Sequence, residues 1–266
     1  MKRTVLLLLL ALFAGGCSTV PITGRRQLSL VSDKEVLSAS LTEYRSFMGK
    51  AKTSGDKVQS AQVVRVGRRI ADATESYLRG HGLEKEVANF AWEFNLVQDK
   101  QVNAFCMPGG KIVVYTGLMP LVASDDELAV VLGHEVAHAV AKHGAERMSQ
   151  QLLASAGAVA AAGAVVAAGG TASSGNAAAS VFGLGAQVGV MLPFSRKHES
   201  EADYMGLALM TMAGYKPEAA VAFWRKMAAQ GGSSTPAFLS SHPSDATRIA
   251  DIQKALPEIK SKFSPK

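Results

Sequence analysis

"HEVAHAVAKH", residues 134–143, places three histidines and a glutamate within ten positions, and its reading decides the rest of the chain. On a helix each residue advances about 100° round the axis, so His134 and His138 are about 40° apart and project from one face. They can grip one ion together. His143, nine residues after His134, lies about 180° round the axis and faces away from that ion as long as the helix continues, which makes it a poor ligand candidate. Glu135, beside the first histidine, occupies the place that H-E-x-x-H sites give to a general base rather than a ligand.

The flanking sequence places this motif on a helix. Asp125, Asp126 and Glu127 open it with acidic residues where the macrodipole favours them, and the pattern runs on as one helix through "ELAVVLGHEVAHAVAKHGAERM". A catalytic zinc site needs three protein ligands and keeps a fourth position for water, so the third ligand has to come from elsewhere. "HESEAD", residues 198–203, offers Glu199 and Asp203 at i, i+4 on one helix face, with Glu201 about 200° from Glu199. We read Glu199 as metal ligand and Asp203 as acceptor for the free ring N–H of a ligating histidine. The plain alternative is a solvated acidic helix start capped by Ser195, and His198 is expected to be exposed beside the site.

Upstream, Ser32 and Glu35 form a capping-box pattern that starts a helix, and a second helix is expected over Gln59 to Leu78. Phe90, Trp92, Phe94 and Leu96 then alternate with more polar neighbours, the period of a strand. "QVNAFCMPGGKIVVYTGLM" gives two apolar runs around Pro108-Gly109-Gly110 and reads as a hairpin, so a sheet of about three strands forms. Further helices are expected from Pro217 to Gln230 and from near Ser244. Residues 152–192 are nearly free of charge and rich in alanine and glycine, a helical insertion that packs over the body, rests on a membrane surface or, as the alternative, spans it.

The chain has 266 residues, 48% hydrophobic and 19% charged, enough for one substantial core and unlike a disordered protein. "MKRTVLLLLLALFAGGC" has a basic start, an apolar run from Val5 to Ala14 and small residues before Cys17, the pattern of an export signal. The "AGGC" ending resembles a bacterial lipobox, in which Cys17 would be lipidated and become the mature N-terminus. The domain reading is therefore a signal peptide over 1–16, a lipidated tether over 17–32 and one folded domain over 33–266. Removing the signal lowers the formal net charge from +6 to +4, which suits an anionic membrane surface, and with no basic stripe or aromatic platform nothing points to nucleic acid. Cys106 is left without a partner, so there is no disulfide framework; it is either a buried thiol or a nucleophile.

"HEVAHAVAKH", "SRKHESEAD" and "SSHPSDATRI" together resemble the HtpX-like and CAAX-prenyl-protease-like family of membrane-associated zinc metallopeptidases. The lipobox followed by "VPITGRRQLSLVS" looks like its BepA- and LoiP-like lipoprotein branch, related to the mitochondrial Oma peptidase. The resemblance implies a predominantly helical α+β, zincin-like fold with a small, mainly antiparallel sheet, and one Zn2+ held by His134, His138 and Glu199 with Glu135 as base. It also implies that Asn103, Ala104 and Phe105 belong to an edge strand along which substrate backbone lies, and that His242 approaches the zinc, as a latch or in catalysis. His242 serving only to cap the last helix is the alternative, and Arg248 is expected to pair with a carboxylate at the site or with substrate.

The function implied is an endopeptidase lipid-anchored in the bacterial envelope, at the outer membrane facing the periplasm. It would act on unfolded or misassembled proteins, with outer-membrane assembly machinery as a further partner. The rival is a latched, chaperone-like assembly factor that keeps the same metal site.

Overall fold

The computed structural model describes residues 17–167, 195–230, 237–242 and 246–265. Elements follow in the order β1 (Cys17–Thr19), β2 (Arg26–Leu28), α1 (Asp33–Lys50), α2 (Lys57–Gly80), α3 (Glu84–Val87), β3 (Glu93–Val97), β4 (Ala104–Met107) and β5 (Lys111–Tyr115). A short 3-10 turn at Met119–Leu121 leads into α4 (Asp125–Val140) and α5 (His143–Ala167). Beyond the next described residue come α6 (Arg196–Met212), α7 (Ala219–Ala229), α8 (Ala237–Ser241) and α9 (Ala246–Phe263). The fold is thus mostly helical with small sheets.

Local chemistry explains the starts. Ser32 and Glu35 close both halves of the capping box on α1, and Asp56 caps α2 by accepting from the backbone of Val58 and Gln59. On α2 the residues Val63, Val66, Ile70 and Leu78 fall on one buried stripe. That stripe covers β3, where a β-carbon on Gly67 would lie 2.2 Å from the Phe94 ring, so only glycine lets helix and strand approach so closely.

The three-stranded sheet has the order β3-β5-β4. β4 and β5 form the expected antiparallel hairpin, turned by Gly109 and Gly110 at φ of 90° and 80°, whereas β3 runs parallel to β5. The arrangement leaves β4 as an edge strand that faces α4.

α4 carries buried side chains on nearly every side, as a helix at the centre of a core must. Its nearest partner is α6. A β-carbon on Gly133 would meet the Gly206 carbonyl at 2.8 Å, and one on Gly206 would meet the His134 amide nitrogen at 2.8 Å, so the two backbones touch directly. Trp224, Phe223, Phe238, Leu128, Leu132, Met205 and Leu209 fill the space around this pair; each fully buried side chain of this size stabilises the fold by about 1.5–3 kcal/mol.

Three expectations are corrected. The single helix through the metal motif is two helices: Ala141 caps α4 and Lys142 turns left-handed at φ 54°, a conformation costing roughly 1–3 kcal/mol for a non-glycine residue. Lys142 is held there by Asp33 at 2.7 Å and Glu86 at 2.8 Å. The stretch read as a tether is partly folded, since β1 and β2 pair as a hairpin with Val20 and Gln27 buried. His198 is buried rather than exposed, 2% accessible and facing Glu146. Of the alanine- and glycine-rich insertion, the part up to Ala167 continues α5 and the remainder falls outside the described residues. Among the described residues no helix is long and apolar enough to cross a membrane.

Candidate metal centre

The close contact of α4 with α6 brings the two sequence motifs together. His134 and His138 project from one face of α4, Glu199 comes from the first turn of α6, and the segment after α8 lowers His242 onto them. One ligand atom from each of these four buried residues lies within 4.8 Å of the others. His138 Nε2 is 3.1 Å from His134 Nε2, which is 3.2 Å from His242 Nδ1. Glu199 Oε1 is 3.0 Å from His242 Nδ1 and 3.4 Å from His138 Nε2, and Glu199 Oε2 is 3.4 Å from His134 Nε2.

These separations test whether a metal fits. Ligand atoms about 2.0–2.1 Å from a tetrahedral ion are about 3.3 Å from one another, the spacing found here. Glu199 Oε2 is fully buried without a hydrogen bond, its cationic neighbours being His134 Nε2 at 3.4 Å and an Arg248 terminal nitrogen at 3.5 Å, so this carboxylate oxygen keeps the capacity to bind a cation. With the protons of His134 and His138 on Nδ1, their Nε2 atoms face each other as lone pairs at 3.1 Å, an arrangement that a proton or a cation between them relieves. The donor set fits a divalent ion.

The outer nitrogens of the histidines are held as well. His134 Nδ1 faces Asp203 Oδ1 at 3.0 Å, and Asp203 takes a two-pronged grip from Arg248, with Nε and the terminal nitrogen each at 2.7 Å. Arg248 lies over the Trp224 ring, its guanidinium carbon 3.4 Å from the ring centre. Asp203 thus joins His134 to Arg248.

His143 is a residue that sequence reasoning misplaced. Because the chain turns at Lys142, His143 comes back with Nδ1 2.9 Å from His138 Nδ1, and its Nε2 is 3.0 Å from Glu201 Oε2. It stands behind His138, outside the four-residue cluster. Arg25, Thr23 and Glu146 were also missed; Thr23 Oγ1 donates to Glu201 at 2.6 Å and Arg25 bridges Glu201 to Glu146. No helical periodicity signals a contact that depends on a left-handed lysine.

Burial and charge shape the titration of the group. Burial opposes ionisation of Glu199, but the imidazoles of His134, His138 and His242 around it outweigh burial and hold the carboxyl far below its usual range. Asp203 is likewise held down against burial by Arg248 and His134. Burial pushes His138 well below an ordinary imidazole and His143 down to about 4, so both stay neutral. His134 is lowered by burial, yet Asp203 and Glu199 raise it further, to about 9: without a cation this cluster draws in a proton.

Glu135 stands at the margin of the cluster. Its Oε2 accepts from the Cys106 backbone N–H at 3.1 Å, while Oε1 is buried without a hydrogen bond and lies 3.5 Å from His242 Nε2. Burial raises its carboxyl above the usual value. That link places edge strand β4 directly beside the motif. Burial, helped by the Glu135 charge, pushes the Cys106 thiol well above an ordinary cysteine, which favours the buried-thiol reading over a nucleophile. Of the strand residues singled out beforehand, Ala104 is buried, Asn103 accepts from the Tyr115 amide at the start of the hairpin ladder, and Phe105 packs edge-on against Phe47 and Tyr115.

Residues 59–256 match peptidase family M48. The chain belongs to that family. The mitochondrial metalloendopeptidase OMA1 of Schizosaccharomyces pombe is 35% identical over 271 residues, covering 95% of this chain and 72% of the relative. OMA1 of Saccharomyces cerevisiae is 29% identical over 94% of this chain and 74% of its own length. The beta-barrel assembly-enhancing protease of Escherichia coli (strain K12) is 26% identical over 91% of this chain, which spans 48% of that relative. This M48 peptidase is accordingly a metal-dependent enzyme, and the four-residue cluster is its candidate metal centre.

Proposed function

We propose that this M48 peptidase is a zinc-dependent endopeptidase of the bacterial cell envelope, anchored by lipid on Cys17, that hydrolyses misfolded or stalled envelope proteins. The observation that carries the reading is the convergence of His134, His138 and Glu199 with Glu135 at their edge. Histidine nitrogens with one carboxylate at tetrahedral spacing suit zinc better than the oxygen-seeking magnesium or calcium. A zinc ion held by those three residues supplies Lewis acidity, polarising the scissile carbonyl and lowering the pKa of water to about 7.

The chain's own residues supply the proton handling. Glu135 accepts the proton of the attacking water and returns it to the amine as the C–N bond breaks, and a carboxyl raised by burial suits both directions of transfer. Asp203, gripped by Arg248, keeps the proton of His134 on Nδ1 and leaves Nε2 for the metal. β4 supports the substrate reading: it is the edge strand beside Glu135, and its outward amides, Ala104 on Asn103 Oδ1 and Cys106 on Glu135 Oε2, would exchange those partners for the backbone of an extended client. Unfolded strands destined for outer-membrane barrels are clients of this shape, in keeping with the name of the Escherichia coli relative. The export signal and lipobox support the envelope location, and outer-membrane assembly machinery is the partner such clients imply.

One observation favours a second reading. His242 Nδ1 already occupies the fourth corner of the cluster, and the Phe238 amide before it donates to the Val102 carbonyl beside β4 at 3.0 Å. A protein latched in this way binds clients and rarely cuts them.

Cleavage of casein and of an unfolded barrel protein by the purified, zinc-loaded full chain separates the readings. Wild type is expected to cut, and Glu135→Gln to be slower by about 10²–10⁴-fold with its zinc retained. Cleavage by His242→Ala alone means a latched protease; zinc bound with no cleavage by any variant gives the case to the binding factor.

A further inference from the structure

The metal ligands His134 and His138 are supported differently. His134 leans directly on Asp203, whereas His138 has its outer nitrogen on another histidine, and behind that histidine lies a chain of buried polar groups that leaves the metal site altogether. We propose that this chain, Thr23 and Arg25 to Glu201 to His143 to His138, makes the N-terminal β1–β2 hairpin a positioning element of the metal centre. The inference rests on the metal-binding reading above.

The direction of each hydrogen bond follows from its end. To bind an ion, His138 presents the lone pair of Nε2, so its proton is on Nδ1 and is donated to His143 Nδ1 across 2.9 Å. His143 then accepts at Nδ1 and keeps its own proton on Nε2, which meets the Glu201 carboxylate at 3.0 Å. Both ring tautomers are fixed by one arrangement, and a carboxylate ends it, as carboxylates end the shorter arrangements usual behind ligating histidines.

Glu201 is in turn held by the hairpin. Thr23 Oγ1 donates to Oε1 at 2.6 Å and Arg25 Nε donates to Oε2 at 2.7 Å. The other face of the Arg25 guanidinium forks onto Glu146 at 3.0 and 2.7 Å, and Glu146 also meets His198 Nε2 at 2.9 Å. The His198 ring stacks on His143 with centroids 4.4 Å apart, so His143 is gripped on both edges and on its face.

This is more than a surface ion pair. The Glu146 and Glu201 side chains are only 7% and 6% accessible, and His143 is fully buried. Buried charge networks cost desolvation and stabilise a fold little better than apolar packing does, so stability alone does not account for one that ends on a metal ligand. Orientation of His138 does account for it. The hairpin residues are also remote in sequence, 176 positions separating Arg25 from Glu201, so the site is complete only when the chain's N-terminal segment is docked.

The test is zinc affinity of the full chain by competition with a chromophoric chelator, with the visible spectrum of the cobalt-substituted protein and melting of the metal-free protein alongside. Glu201→Gln and His143→Phe are expected to weaken zinc binding by about 10–100-fold, and Arg25→Met by several-fold, with an altered cobalt spectrum in each. His143→Gln should recover most of the affinity, because its amide oxygen can accept from His138 while its NH2 donates to Glu201. If Arg25→Met and Glu201→Gln bind zinc within twofold of wild type with an unchanged cobalt spectrum, the positioning role is overturned, even if their metal-free forms melt lower. Failure of wild type itself to bind zinc or cobalt would instead overturn the metal reading.

Discussion

Asp203 does at the scale of one residue what helices alone cannot. Two oxygens serve three donors: Oδ1 takes the His134 ring N–H and an Arg248 nitrogen, and Oδ2 takes Arg248 Nε. An asparagine of the same shape keeps one acceptor and turns an NH2 group on either Arg248 or His134, so one bond becomes donor against donor. Asp203→Asn is therefore expected to weaken zinc binding by about 10–100-fold while leaving the fold intact. Chelator competition with circular dichroism checks it, and an affinity equal to wild type would mean that Asp203 does not orient His134. At this scale the sequence was informative where chemistry and spacing coincide. His134, His138, Glu199 and Asp203 were legible because each pair is one helical turn apart on a single face. Glu201 was set aside by the same rule, which is blind to its partners, because what reaches it comes from the opposite side of α6.

Among elements, the decisive distance is the one between α4 and α6. Gly133 and Gly206 put the two backbones in contact, which sets how far Glu199 stands from the histidines. A methyl group at Gly206 meets main-chain atoms of Gly133 and His134 at 2.8–3.0 Å, atoms that cannot rotate aside. Gly206→Ala should cost about 1–3 kcal/mol and, by pushing the helices apart, lower zinc affinity as well. Urea unfolding and chelator competition on the same sample check both parts; a variant as stable as wild type shows that α6 can shift without strain. No property of "YMGLALM" in sequence announces this contact, because a glycine within a helical pattern looks the same whether it faces solvent or a backbone. The cap at Ser32 was legible, since it depends on neighbours within four residues. The break after α4 was not, because a lysine at φ 54° is held by Asp33 and Glu86, contacts from distant parts of the chain.

For the whole molecule the same groups set how stability depends on pH once metal is removed. His143, at about 4 in the folded chain against an ordinary 6.5, stays neutral there while the unfolded chain takes up its proton, so its effect is loss of stability as pH falls from 6.5 to 4. That depression corresponds to about 3 kcal/mol, or roughly 6–12 °C in melting temperature for a domain of this size. Glu201 acts at lower pH: its carboxyl is held at about 2, so the stability it contributes is present above 4.5 and disappears as pH falls towards 2. His134 works in the opposite sense. Raised to about 9, it contributes stability below pH 6.5 that is lost as pH rises to 9. The metal-free chain should therefore melt highest near pH 6.5 and lower on both sides. Bound zinc requires a neutral His134 at every pH where it binds, so loading the site should remove the alkaline decline while leaving an acid decline as protons compete with the metal. Differential scanning calorimetry with and without chelator, from pH 4 to 9, reads both limbs. An alkaline limb that persists unchanged with zinc present would place the ion somewhere other than on His134.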